Sequence, residues 1–536
     1  MPELINPDSP LLESRRHTRR SFLAHGGALI AGGSLLAACG STSASPQTTS
    51  NLSKGTPKRG GGLRVAILGG GPSETLDANG QVLQVDAIRC FALYNGLMRL
   101  SPDARQIVHD LAEELTPSKD ARTWTVRLKP DLKFSDGRPV TADDVIFTYR
   151  RITNPRHPFS GAPALGPLER NSMRKLDKRT VEMPMSVPYA SFPEQICQMQ
   201  YLGIIPSDYN PKAPVGTGPF KYQSFTPGQQ SVFVRNEHYL GAPQPYLDTL
   251  TIITSFADET AAFNALQGGQ IDAFAQAPQT LINQAKGSST INALVSLPGQ
   301  WTPFTMRVDK SPFDDVRVRQ AMRLIANRPQ LISDSLTGLG SVGNDVFSQW
   351  DPAYDSSLHR GQDLPQAKSL LKQAGREGLA VTLVTSDFAP GVVQAAQVFA
   401  QQANGAGMTI KINHVPSSTF YGPSYLQWPF AQDYWGYTPF LNQVALGSLK
   451  ASPFNETHWN NPRYVKLYGQ ANASLDPSRR KEIEREMQLI DFNDGGLIIY
   501  AYNKLLDLLA ANVRGIGPAG TGLPLGACEW QNIWLA

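Results

Sequence analysis

The sequence predicts a mixed α/β protein of two or three domains, and three observations predict it. The chain has 536 residues, too many for a single hydrophobic core. Strand-like alternation and capped helical repeats both occur along it. Its hydrophobic content of 41% and charged content of 18% are those of an ordinary globular protein. Trp124, Val126 and Leu128 alternate with Thr125 and Arg127, which predicts a half-buried strand. Asp136-Gly137 then predicts a turn. Thr141 and Asp144 have capping-box spacing, with Val145, Tyr149 and Ile152 following at helical intervals. A second helix is predicted from Asp314-Asp315, burying Val318, Met322 and Ile325. A third carries Ala367, Leu370, Leu371 and Ala374 and stops at Gly375. A fourth starts at Asp476-Pro477, a cap followed by an N1 proline, and buries Ile483, Met487 and Ile490. No internal repeat is visible.

The N-terminal stretch carries an address. Thr18-Arg19-Arg20-Ser21-Phe22-Leu23 precedes a short uncharged apolar run, the pattern of a twin-arginine export signal. Leu36-Ala37-Ala38-Cys39 resembles the bacterial lipobox, in which the cysteine thiol receives a diacylglycerol. Residues 1–39 are therefore expected to be a signal peptide with lipobox, and Cys39 the lipid anchor to the outer face of a bacterial membrane. Residues 40–62 are mostly Ser, Thr, Gly, Pro, Asn and Gln and read as a flexible tether. Such a coil spans roughly 25–30 Å. No later apolar run reaches the ~18 residues of a transmembrane helix. The net charge is +4 with no basic stripe, so nucleic acid is not an expected partner. Beyond Cys39 there are Cys90, Cys197 and Cys528, too few for a disulfide framework.

Four segments carry a family resemblance. The first is Leu111-Ala112-Glu113 with Thr123 to Leu128, Lys133-Phe134-Ser135-Asp136-Gly137 and Thr141-Ala142-Asp143-Asp144-Val145. The second is Pro214-Val215-Gly216-Thr217-Gly218-Pro219-Phe220. The third is Arg235-Asn236-Glu237-His238-Tyr239 with Leu266-Gln267-Gly268-Gly269-Gln270-Ile271-Asp272. The fourth is Ser311-Pro312-Phe313 through Arg319-Gln320-Ala321. In this order the chain resembles the family-five solute-binding proteins of ABC importers, the peptide- and nickel-binding class. The resemblance implies a two-lobed periplasmic-binding-protein fold, class II or cluster C type. Lobe I would take residues 63–302, with a subdomain inserted at about 101–212. Lobe II would take 303–503, and 504–536 would return to lobe I. Two crossings are implied near Gln300–Met306 and Tyr500–Lys504. That layout puts Cys90 and Cys528 together in lobe I and makes them the preferred disulfide pair.

A cleft needs aromatic walls and a few placed polar groups. The densest aromatic stretch is Phe420-Tyr421, Tyr425, Trp428, Phe430 and Tyr434-Trp435-Gly436-Tyr437. It reads either as lobe II core or as cleft wall. In peptide-binding relatives a lobe II segment of this kind supplies an aspartate for the peptide ammonium. Asp433 aligns there through Asp433-Tyr434. Alternatively Trp435-Gly436 aligns with the family's Trp-Gly, and the downstream acid is then missing. The expected solute contacts are Glu74 and Thr75 in the loop after the first strand, Trp301 at the first crossing, and Tyr421, Asp433, Tyr434 and Trp435. Asn455-Glu456-Thr457-His458-Trp459 groups polar residues beside Trp459. With no second histidine at ligand spacing it reads as structure or solute contact rather than a metal site.

Three function classes compete. The expected one is a monomeric, non-catalytic binding protein without cofactor or metal. It captures a small solute, a peptide by family default, through lobe closure. It then delivers the solute to a membrane permease. A solute sensor of the same fold is the alternative. An exported hydrolase is the third, but the chain has no Gly-x-Ser-x-Gly elbow, His-Glu-x-x-His or Walker loop.

Overall fold

The computed structural model describes residue 52 and residues 55–81 and 83–536. The twin-arginine pair Arg19-Arg20, Cys39 and the start of the tether lie outside the described residues. The largest sheet has seven strands. Their order is Ile291–Val295, Leu506–Ala510, Ala273–Phe274, Gly62–Ala66, Thr249–Ile253, Gln230–Arg235 and Phe220–Thr226. Gly62–Ala66 sits inside it, parallel to both neighbours. Leu63 and Val65 pack into one core and Ala66 into another, so this strand is covered on both faces. Leu506–Ala510 pairs antiparallel with Ala273–Phe274 and Ile291–Val295, which returns the chain's end to this lobe.

Two expectations fail here. The tether is shorter than its composition implied. Leu52 is buried in the lobe core, and its carbonyl accepts the Gly515 amide at 2.8 Å. Gly60 donates to Tyr246 O at 2.9 Å, and Gly62 already belongs to a strand. The Cys90–Cys528 bridge does not form: Cys90, Cys197 and Cys528 are all free and buried. The Cys90 sulfur accepts the Gln81 amide at 2.8 Å, while the Cys528 thiol faces Pro524 O at 3.5 Å. Sharing a core did not bring them together.

A separate four-stranded antiparallel sheet has the order Ala112–Pro117, Thr123–Leu128, Thr180–Pro184, Arg174–Lys175. Trp124, Val126 and Leu128 point into its core, where the helix Ala142–Ile152 adds Val145, Tyr149 and Ile152. The capping box is made: Thr141 N donates to Asp144 Oδ2 at 2.8 Å.

The other lobe has a five-stranded sheet, ordered Thr409–His414, Ala380–Thr385, Phe430–Gln432, Phe304–Met306 and Leu497–Ile498. Helix Val316–Ile325 begins where Asp315 Oδ1 accepts the Arg317 amide at 2.9 Å, and it buries Val318, Met322 and Ile325. Helix Leu364–Gln373 ends ahead of Gly375, whose φ of 65° is the left-handed turn that glycine permits. Helix Pro477–Asp494 starts where Asp476 accepts the Ser478 amide at 2.9 Å.

The two crossings between lobes are hydrogen-bonded to each other. Gln300–Trp301 pairs antiparallel with Ala501–Asn503, and Gly340–Val342 flanks the latter. Thr302 Oγ1 and Tyr500 OH lie 2.9 Å apart beside them.

Candidate functional site

Strand Phe430–Gln432 pairs antiparallel with Phe304–Met306 and delivers Asp433 at its end. The chain then pairs with the first crossing. Trp435 N donates to Trp301 O at 2.8 Å, and Trp301 N returns a bond to Trp435 O at 2.9 Å. Residues 433–435 are thereby fixed where the lobes meet. The Asp433 carboxylate accepts Tyr421 OH at 2.9 Å, Tyr425 OH at 3.0 Å and the Tyr434 amide at 2.8 Å. Tyr421 and Tyr425 follow the short helix Ser417–Phe420 and meet edge to face, with ring centroids 5.1 Å apart. Phe388 braces Tyr421 at 5.7 Å and Tyr434 at 5.9 Å. Asp433 is only 4% exposed, whereas Tyr421 and Tyr434 are 37% and 40% exposed. The arrangement is a buried carboxyl group beside two partly exposed phenols.

A second carboxyl lies against the first. Glu456 is buried, hydrogen-bonds to Asp433, and accepts Trp435 Nε1 at 2.9 Å. Burial raises the Asp433 carboxyl above its ordinary range, against the hydrogen bonds it accepts. Burial, then the charge of Asp433, raises Glu456 further. Among the described residues neither carboxyl has an ion-pair partner. Two buried carboxyls in contact without a cation share a proton.

The remaining predicted residues make internal contacts. Glu74, expected at the cleft, is buried in an ion pair with Arg89 at 3.1 Å. Its oxygens also accept the amides of Gly71 at 3.0 Å and Gly228 at 2.9 Å, which ties its loop to a neighbouring turn. Thr75 accepts the Asp77 amide at 3.1 Å and donates its own amide to Asp86 at 2.9 Å, which shapes the loop from within. Trp301 is 2% exposed and stacks between Trp435 (5.8 Å, 11°) and Phe347 (6.1 Å, 15°). It is the floor under the site rather than its wall. His458 Nε2 is bonded to Leu426 O at 2.9 Å, and among the described residues no cluster could hold a metal ion.

Sequence reasoning missed three residues. Tyr425 was read only as part of an aromatic run. Glu456 stands in a polar run far along the chain, and no local pattern joins it to Asp433. Tyr201 belongs to the helix Met199–Leu202 of the first lobe, held there by Asn79, whose Nδ2 donates to Tyr201 O at 3.1 Å. Burial, then the charge of Tyr434 in the second lobe, raises the Tyr201 hydroxyl above its ordinary range.

Two lobes joined by paired crossings, with an acidic aromatic site beside them, define a bilobal solute-binding protein. The chain belongs to the bacterial extracellular solute-binding proteins, family 5, whose middle region matches residues 106–454. The family consists of solute-binding proteins rather than enzymes. The chain is 25% identical over 486 residues to the dipeptide-binding protein of Escherichia coli K12, covering 82% of this chain and 88% of that one. The fold is similar to AgaA of A. tumefaciens R10, solved with agropinic acid. The TM-score is 0.76 at 23% identity, over 89% of this chain and 99% of that one. It is also similar to AppA of Bacillus subtilis, solved with a nonapeptide. There the TM-score is 0.75 at 22% identity, over 90% of this chain and all (100%) of that one.

Proposed function

We propose that the protein captures a small solute carrying a cationic group, of the peptide or peptide-like class, by closing its lobes over Asp433. The observation that carries this reading is a buried carboxyl pair without a cation, beside the partly exposed Tyr421 and Tyr434. A solute ammonium supplies the missing charge. The phenol rings suit its flanks, because a cation is attracted to an aromatic face. Trp435 backs the site, and Tyr201 closes it from the first lobe. A desolvated charge-assisted hydrogen bond is worth roughly 1.5–3 kcal/mol, or about ten- to a hundredfold in affinity. The dipeptide-binding relative supports a peptide-like solute. The solute then passes to the permease of an ABC importer.

The place of work in this reading is outside the cytoplasmic membrane. Twin-arginine export through Arg19-Arg20 and lipidation at Cys39 would tether a monomer there. Curated relatives include periplasmic proteins, and no helix among the described residues is long and apolar enough to cross a membrane. The deciding experiment is mass spectrometry of small molecules released on denaturing the purified protein. A bound amine or guanidine is expected. A bound solute that is neutral or purely anionic would contradict the reading.

A further inference from the structure

A second contact between the lobes lies away from Asp433. Segment Tyr189–Gln195 of the first lobe meets three helices of the second. Ala190 N donates to Asn472 O at 2.7 Å, where helix Pro462–Asn472 ends. Ser191 Oγ bonds Asn472 Oδ1. Asn442, on helix Phe440–Gly447, donates from Nδ2 to Gln195 Oε1 at 2.8 Å. Arg480, on helix Pro477–Asp494, pairs with Glu194 at 2.7 Å and donates to Ala190 O at 3.3 Å. All six side chains are mostly or fully buried. None of them belongs to the solute site. A cavity of roughly 370 Å³, lined by both lobes, opens beside them.

We propose that this contact is a closing clasp, in which Arg480 and its neighbours set the closed fraction of the protein without touching the solute. Apparent affinity scales with the fraction of binding-competent molecules, so a clasp remote from the site tunes affinity through that fraction. Arg480 is a positioning residue in this account.

The charges around Glu194 give the clasp a pH response. Arg480 also lies 3.5 Å from Glu484. Asp351 is a third carboxyl nearby, committed to the amides of Phe440 at 2.9 Å and Ala353 at 2.8 Å. Arg105 and Lys481 line the cavity, and Tyr189, Cys197, Tyr437 and Tyr468 complete the surroundings. Burial pushes Glu194 up to about 7, with Arg480 opposing and Asp351 adding to the rise. Burial likewise pushes Glu484 up to about 9. Once the lobes part, Glu194 meets water and returns toward the ordinary carboxylate range. The closed form therefore binds more protons, and closure is favoured as pH falls from about 7. Above that, Arg480 offsets the charge that closure buries.

Hydrogen exchange tests the clasp without any solute, because the Ala190 amide is bonded across the lobes. The purified protein is compared with Arg480→Gln, Glu194→Gln and Asn442→Ala at pH 6 and pH 8, after correction for intrinsic rates. Arg480→Gln is expected to speed exchange at Ala190 by about tenfold or more, the loss of one charge-assisted bond. Leu250 and Leu383, in the two sheet cores, are expected to keep wild-type rates. Glu194→Gln is expected to keep Ala190 protected and to remove the difference between the two pH values. Asn442→Ala alters no charge, and it too is expected to expose Ala190. Wild-type protection at Ala190 in both Arg480→Gln and Asn442→Ala would overturn the proposal. So would equal acceleration at Leu250 and Leu383, which would assign these residues to folding.

Discussion

A carboxyl buried without a cation holds its proton, and Asp433 and Glu456 do so together. Both are raised in the folded protein, so the sign of the pH dependence follows. The solute-free fold keeps its full stability at low pH and loses some of it as pH rises through the pair's titration. Binding of a cation runs the other way, because the solute must displace the shared proton. With the clasp's own titration removed by Glu194→Gln, calorimetry between pH 5 and 8 should show affinity rising with pH and a proton released on binding. Glu456→Gln should flatten that slope, since Asp433 then has no neighbour competing for charge. A slope unchanged in Glu456→Gln would disprove proton sharing. Trp435 has a different task. Its ring stacks on Trp301, and its Nε1 is the donor to Glu456. Trp435→Ala should cost about 3 kcal/mol in a denaturant titration, by loss of packing. A wild-type denaturation midpoint would instead place Trp435 purely in the wall of the cleft.

Helices and strands were legible where their signals are local. Thr141 and Asp144, Asp315, and Asp476-Pro477 each mark a helix start within a few residues, and each cap is made as expected. Trp124, Val126 and Leu128 show their alternation in one short run. What was not legible depends on distant partners. Glu74 sits in the expected loop, but its direction is set by Arg89 and by the Gly228 amide, neither of which a loop motif reveals. The Asp433–Glu456 contact depends on how residues 433–435 pair with Trp301. The cysteines share a core, but sharing a core does not bring sulfurs together. The stretch leading to the second crossing rests on another long-range partnership. Asp345 is fully buried against Arg328 and Arg360 and also accepts the Ile499 amide at 3.0 Å. Asp345→Asn leaves two buried arginines without a counter-charge and should cost about 3–5 kcal/mol. Chemical denaturation checks this, and a loss below about 1 kcal/mol would mean the cluster is solvated rather than structural.

At the scale of the whole molecule, the two lobes are joined at the paired strands Gln300–Trp301 and Ala501–Asn503, and a bend there would part them. In the proposed scheme, solute contact at Asp433 and the clasp at Arg480 both favour the closed arrangement, from separate places. The proposed export and anchoring belong to this scale too. Cys39→Ser should release the protein from the membrane, and replacing Arg19 and Arg20 with Lys should block export, both read by cell fractionation. Normal surface levels in either variant would refute the corresponding step. The central claim is that Asp433 receives the cationic group of the solute. It is tested most directly by calorimetric titration of the identified solute into wild type and Asp433→Ala. A loss of at least about tenfold in affinity is expected, with the melting temperature of the solute-free protein little changed. Equal affinity in the two proteins would contradict it.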